Sequence, residues 1–210
     1  MAEAKSSKKR ARGGERGKYT PDRTRKAILD SALELFESQG FHATSVQAIA
    51  DHAKVTKGAF YHHFDSKEAL VQIIHDEFVD YQLEQIEQIL AATDDPEAQL
   101  RALIEMSVKS VVEYREHVAV YFQERRYLKG ERFDAVKRKR AKISRVSEEM
   151  VQRGIDQGVF RADLSARVVT FGIIGMSAWT YQWLRTAGPV SPEAVAQMLA
   201  DMVLLGIVER

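Results

Sequence analysis

The 210-residue chain has no cysteine. That excludes disulfides, thiolate metal sites and a cysteine nucleophile, and it fits a reducing cytoplasm. Proline is scarce, with four in the chain, and glycine numbers only twelve. Few breakers beside abundant Ala, Glu, Leu, Arg and Lys favour helix. The first twenty-six residues hold no apolar core of the kind a secretory signal needs, so none is expected. The longest uncharged run, Val168 to Leu184, is 17 residues and carries Thr, Ser and Gln. A membrane span needs about 20 predominantly apolar residues, so a buried helix is expected there and no membrane association.

What is present is a lopsided charge. Residues 1 to 26 hold ten Lys or Arg against three acids, +7 in all, which leaves −6 on the remaining residues of a chain whose net charge is +1. A basic arm on a mildly acidic body suits a polyanionic partner at one end. A solvated tail that touches nothing accounts for the charge equally well. The first twenty residues, rich in Lys, Arg, Gly and Ser, lack apolar periodicity and read as a disordered arm over 1–20.

Thr20-Pro21 has the form of a helix entry, with Pro at the first helical position. Ile28, Leu29, Ala32, Leu33, Leu35 and Phe36 then recur at helical spacing up to Gly40. Thr44-Ser45 caps a short second helix carrying Val46, Ile49, Ala50 and Ala53 on one face, and Val55-Thr56 starts a third from Lys57 to His63. Asp65-Ser66 caps a long fourth helix. Further helices are expected near 96–114, 116–129, 131–157, 163–186 and 191–208, and no segment alternates like a strand. The expected fold is all-α.

The second and third helices, with a tight turn between them, have the spacing of a helix-turn-helix, with Thr56, Lys57, Gly58, Tyr61 and His62 on the exposed face of the third. Donors around a bare backbone suit base edges and phosphates in a major groove. Phe60 and Phe64 read as core, or less simply as contacts. His62 and His63 are adjacent, about 100° apart around a helix, and so are poorly placed to chelate one ion. His42, His52, His75 and His117 are scattered, and no nucleophile–base constellation is legible.

The string Thr44-Ser45-Val46, Ile49-Ala50, Ala53, Val55-Thr56-Lys57-Gly58, Phe60-Tyr61-His62-His63-Phe64, Ser66-Lys67-Glu68 and Leu70 resembles the DNA-binding signature of the TetR family of bacterial transcriptional regulators. The resemblance covers roughly residues 23–70. It implies a cytoplasmic homodimer whose paired recognition helices enter successive major grooves of a palindromic operator, with the helix-turn-helix over 21–66 and a helical ligand-binding and dimerisation domain over 67–210. It also implies roles: Thr44 and Lys67 on phosphates, Thr56, Lys57 and Gly58 at base edges, Tyr61 and His62 on backbone or bases. Members usually carry glycine in the turn before the third helix, where this chain has Lys54. A left-handed backbone there costs a non-glycine residue about 1 kcal/mol.

The resemblance further implies that the last two helices form the dimer interface and that an inducer cavity lies among the middle ones. Phe171 to Trp183 is apolar almost all round, so it needs burial on two sides. One stripe, Ile174, Ala178, Tyr181 and Arg185, is expected to meet the partner with Leu199, Met202, Val203 and Ile207. The other, Phe171, Gly175, Trp179 and Gln182, is expected to face inward, with Gly172, Gly175 and Ser177 leaving room. Met106, Tyr114, Tyr121, Phe122, Arg126, Phe171, Gly175 and Trp179 are the candidate lining; ordinary core packing explains them as well. Trp179 to Trp183 followed by Gly188 to Ser191 resembles the tail of members responsive to fatty acyl-CoA. On that footing Arg125-Arg126 and Lys137 to Arg140 offer charge for CoA phosphates, the alternative being a solvated face. The rival reading is a helical carrier or enzyme for an apolar acyl ligand. No cofactor and no metal are expected.

Overall fold

A computed structural model describes residues 21–124 and 128–209. Among these the chain forms α1 (Pro21–Gln39), α2 (Val46–His52), α3 (Lys57–His63), α4 (Lys67–Ala92), α5 (Pro96–Glu113), α6 (Arg115–Glu124), α7 (Gly130–Asp156), α8 (Ala166–Trp183) and α9 (Pro192–Ile207). The arm over 1–20 lies outside the described residues.

Local chemistry sets the boundaries. Ser45, Thr56 and Ser66 are the N-caps of α2, α3 and α4, and each side-chain oxygen accepts from the backbone N–H three residues on. Each satisfies a donor that the first helical turn leaves without a partner. Asp95 and Ser191 do the same for α5 and α9, both of which start with proline. Gly40 ends α1 at φ +82, a conformation that costs glycine nothing. Lys54 adopts φ +56 in the α2–α3 turn and is the one non-glycine residue with positive φ among the described residues. Lys54 therefore bears the strain its sequence position foretells.

One apolar cluster joins Ile28, Phe36, Phe41, Ile49, Phe60 and Phe64 of the head to Leu70, Val71 and Ile74 of α4, and to Val120, Tyr121 and Val136 of α6 and α7. The expected partition at 66/67 falls within this shared core. A second cluster packs Ile86, Leu100, Leu103, Ile104, Met150, Val151, Phe160 and Ile173 with Ala200 and Leu204 of α9. Gly154 lets the Phe160 ring lie on α7: a Cβ at that position would overlap the ring. The tail returns to this corner, Phe160 and Val208 forming an isolated antiparallel bridge.

Candidate nucleic-acid interface and internal cavity

The face of α3 opposite Phe60 is open. Thr56, Lys57, Gly58 and His62 are exposed and Tyr61 is 52% exposed, whereas Phe60 and Phe64 are sealed in the core. Thr56 accepts from the Ala59 N–H through Oγ1 while its own hydroxyl proton stays available. A Cβ added at Gly58 would meet only Thr56 Oγ1, at an ordinary 3.7 Å, so nothing among the described residues requires glycine there. Among the described residues, no three His, Cys, Asp or Glu side chains group as a metal site.

Thr44 and Lys67 stand elsewhere than on an outer face. Thr44 is fully buried: its hydroxyl lies 2.8 Å from the Gly40 carbonyl and 3.3 Å from that of Leu35, and it accepts from the Gln39 amide at 3.1 Å. The Lys67 ammonium donates to the carbonyls of Phe41 at 2.7 Å and Thr44 at 3.0 Å, and lies 4.1 Å from the centre of the Phe41 ring. Both side chains are thus corrected from phosphate contacts to staples of the α1–α2 loop. The reason is that unpaired loop carbonyls attract the nearest donors. The same loop holds a partner that sequence spacing cannot show. Glu124, buried at the end of α6, accepts from the Phe41 N–H at 3.2 Å across 83 positions.

A cavity of about 60 Å³ lies among α4, α5, α6, α7 and α8. Its apolar wall includes Phe78, Ile86, Met106, Phe122, Ile143 and Ile173, and its polar groups are Gln82, Arg140 and the hydroxyls of Ser107, Ser144, Ser147, Thr170 and Ser177. Of the expected lining, Met106 and Phe122 are in place. Tyr114 packs instead on Phe78 and Tyr81, and Tyr121 lies behind the wall against His75, ring centres 4.3 Å apart. Arg126 lies outside the described residues, as does Arg125. Of the basic run, Arg140 reaches the cavity, its guanidinium 4.7 Å from the Tyr121 ring centre. Lys139 pairs with Asp80 at 2.7 Å and Asp76 at 3.6 Å, and Lys137 and Arg138 face solvent.

Behind that wall His75 is sealed from solvent and neither ring nitrogen has a hydrogen-bond partner among the described residues; Nδ1 is 3.8 Å from the Asp76 carboxylate. Burial depresses its pKa below the usual histidine value; Asp76 opposes this, and Arg140 and Lys139 reinforce it. The imidazole is neutral at neutral pH. Burial pushes the Asp76 carboxyl up, but His75 and Lys139 outweigh it and hold the carboxyl below its ordinary range.

Except for Arg185, which lies beyond α8 and is exposed, the two expected stripes are reversed. Ile174 and Ala178 line the cavity and Tyr181 is buried, while Phe171, Gly175, Gln182 and Trp183 are exposed and Trp179 is 62% exposed. Phe171, Gly175 and Trp179 are therefore outer-face residues rather than lining. Gly172 and Gly175 have open space where a Cβ would be, so they flatten the outer face and do not enlarge the cavity. On α9, Met202 is exposed as expected, joined by Met198 and Leu205, whereas Ile207 is buried and Leu199 and Val203 are half-buried. A helix apolar on all sides gives no sequence signal for which stripe turns inward; packing on α5 and α7 decides it. Among the described residues no helix is long and apolar enough to cross a membrane.

An open recognition helix in a three-helix head, joined to a helical body with an internal cavity, defines a ligand-binding helix-turn-helix regulator. Residues 28–74 match the family described as "Bacterial regulatory proteins, tetR family", and residues 93–207 match "Tetracyclin repressor-like, C-terminal domain". The chain belongs to the TetR family. It is 31% identical over 191 residues to the HTH-type transcriptional repressor KstR2 of Mycolicibacterium smegmatis, spanning 90% of this chain and 93% of that protein. The ketosteroid transcriptional regulator KstR2 of Mycobacterium tuberculosis superimposes with a TM-score of 0.80 at 29% identity, over 89% of this chain and 95% of that one. AibR, solved in complex with isovaleryl coenzyme A and operator DNA, superimposes with a TM-score of 0.77 at 28% identity, over 85% and 97%.

Proposed function

We propose that this protein is a cytoplasmic homodimeric repressor that binds a palindromic operator through α3 and acts by binding rather than catalysis. The observation that carries the reading is Gly58, a helix glycine that the chain itself does not need, ringed by the exposed Thr56, Lys57, Tyr61 and His62. Lys57 supplies a donor for guanine or phosphate; Thr56, Tyr61 and His62 supply shorter contacts; Gly58 lets phosphate or base edges approach the backbone. The partner subunit docks on Val168, Phe171, Trp179 and Trp183 of α8 with Met198, Met202 and Leu205 of α9. Exposed apolar side chains of this size and number mark an interaction site. The basic arm adds phosphate contacts.

The effector is a small hydrophobic molecule, with acyl-CoA thioesters, like the isovaleryl coenzyme A in the AibR complex, among the candidates. Ligand pockets usually measure about 300–1,000 Å³, whereas this cavity holds about 60 Å³. A ligand therefore has to push the walls apart. Two of those walls end on one loop of the head. Phe78, Gln82 and Ile86 belong to α4, whose Lys67 holds the Phe41 and Thr44 carbonyls. Val118 and Phe122 belong to α6, whose Glu124 holds the Phe41 N–H. Displacing α4 against α6 thus reorients the head, and a ligand preferring the expanded state shifts the population away from DNA. Arg140 is the cationic group at the cavity wall. Titrating labelled DNA from upstream of the gene with dimer, at fixed salt and with competitor DNA, tests the reading: specific binding is expected, and affinity equal to that for random DNA would defeat it.

A further inference from the structure

Thr170 and Ser177 lie on the cavity side of α8, 1% and 2% exposed, and neither hydroxyl has a hydrogen-bond partner among the described residues. This is unusual for the chain. Ser107 and Ser110 on α5 turn their hydroxyls back to the carbonyls of Leu103 and Met106, each at 2.7 Å, as buried helical serines commonly do. A buried hydroxyl without a partner costs free energy, so its retention at two points of one cavity calls for a partner that arrives from outside. Seven residues of helix turn through nearly two full turns, so the two hydroxyls share a face about 10 Å apart along the axis. On α8 the cavity residues between them, Ile173 and Ile174, are apolar, and Phe78 and Phe122 also line the cavity.

We propose that the effector carries two oxygen functions, carbonyl or hydroxyl, about 10 Å apart on an apolar frame, one bound by Thr170 and the other by Ser177. The inference rests on the cavity being the effector site. It narrows the ligand class beyond hydrophobic: a hydrocarbon tail with one polar end satisfies one hydroxyl and strands the other. A site built to hydrogen-bond two groups discriminates against analogues lacking one.

The test uses the full-length dimer and three probes: 2,9-decanedione, its isomer 2,5-decanedione and 2-decanone, with affinity read by calorimetry and stability by thermal melting. The 2,9-dione is expected to bind about tenfold tighter than either comparator, one extra hydrogen bond's worth. In Thr170→Val/Ser177→Ala that preference should fall to within about twofold, while the melting temperature without probe holds or rises, because unpaired hydroxyls are removed. Thr170→Ser, which keeps a hydroxyl, should retain the preference. Binding of all three probes with equal affinity would overturn the two-oxygen inference and leave the cavity reading standing. A fall in the melting temperature of the double variant with probe preference unchanged would also overturn it, marking the hydroxyls as sites of structural water. Failure of every probe to bind, at concentrations where all remain soluble, would defeat both readings together.

Discussion

Thr44 and Thr170 are both sealed from solvent, yet they live in opposite surroundings. Thr44, in the head, has the Gly40 carbonyl to donate to and the Gln39 amide to accept from. Thr170, on the cavity wall, has no partner among the described residues. The contrast extends outward. In the head, Lys67 donates to the Phe41 and Thr44 carbonyls and Glu124 accepts from the Phe41 N–H, so the recognition helix rides on a loop tied to α4 and α6. Around the cavity, Ser177 and His75 share the unpaired condition of Thr170. A platform that must hold a fixed angle is satisfied in itself; a region that must respond to a ligand keeps polar groups in reserve.

Several substitutions sharpen or break this contrast. Thr44→Val strands the Gln39 amide and the Gly40 carbonyl in a buried loop and is expected to cost about 2–3 kcal/mol in urea unfolding. Thr170→Val, the same change at the cavity, should cost nothing. Equal losses at the two positions would erase the distinction. Next in size, Lys57→Ala should weaken operator binding by about 1–3 kcal/mol at fixed salt with the melting temperature unchanged. Gly58→Ala carries opposite signs. An exposed helix position gains about 0.5–1 kcal/mol of stability on losing glycine, while operator affinity falls because the methyl group intrudes where DNA approaches. If both rise, Gly58 is an accident rather than a contact.

The smallest expected effect concerns pH. The folded pKa of His75 lies below its unfolded value, so the unfolded chain takes up the proton first. Stability is then full above about pH 6.5 and declines as pH falls through that value, by at most about 1.4 kcal/mol per pH unit from this one group. His75→Phe should flatten the decline between pH 7.5 and 5.5, read by urea unfolding at each pH. Asp76, whose carboxyl pKa is lowered, contributes its own loss only in more acid solution.

The head was legible in the sequence because its determinants are local. Ser45, Thr56 and Ser66 cap within three residues, and the alternation of Phe60 and Phe64 with Tyr61 and His62 separates core from surface over two turns. The left-handed turn at Lys54 was legible only through the resemblance, whose members usually carry glycine there. The roles of Thr44, Lys67 and Glu124 were not legible, since each depends on a loop brought back across 9, 23 and 83 positions respectively. The α8 faces were misassigned for a different reason: Phe171 and Trp179 are as apolar as Ile173 and Ile174, and nothing in their spacing distinguishes a subunit interface from a core. An unpaired hydroxyl such as that of Ser177 has no sequence signature at all.

The central claim is that expanding the cavity releases DNA, and a side chain can do the expanding without any ligand. Ser177→Phe places a ring in a space of about 60 Å³, an overpacking that costs about 1–3 kcal/mol, and Ser177→Ala, which adds no volume at the same position, serves as the control. Operator affinity of the folded dimer without effector, measured by fluorescence anisotropy at fixed salt, should drop at least tenfold for Ser177→Phe and stay near wild type for Ser177→Ala. A folded Ser177→Phe dimer that binds the operator as tightly as wild type would contradict the account.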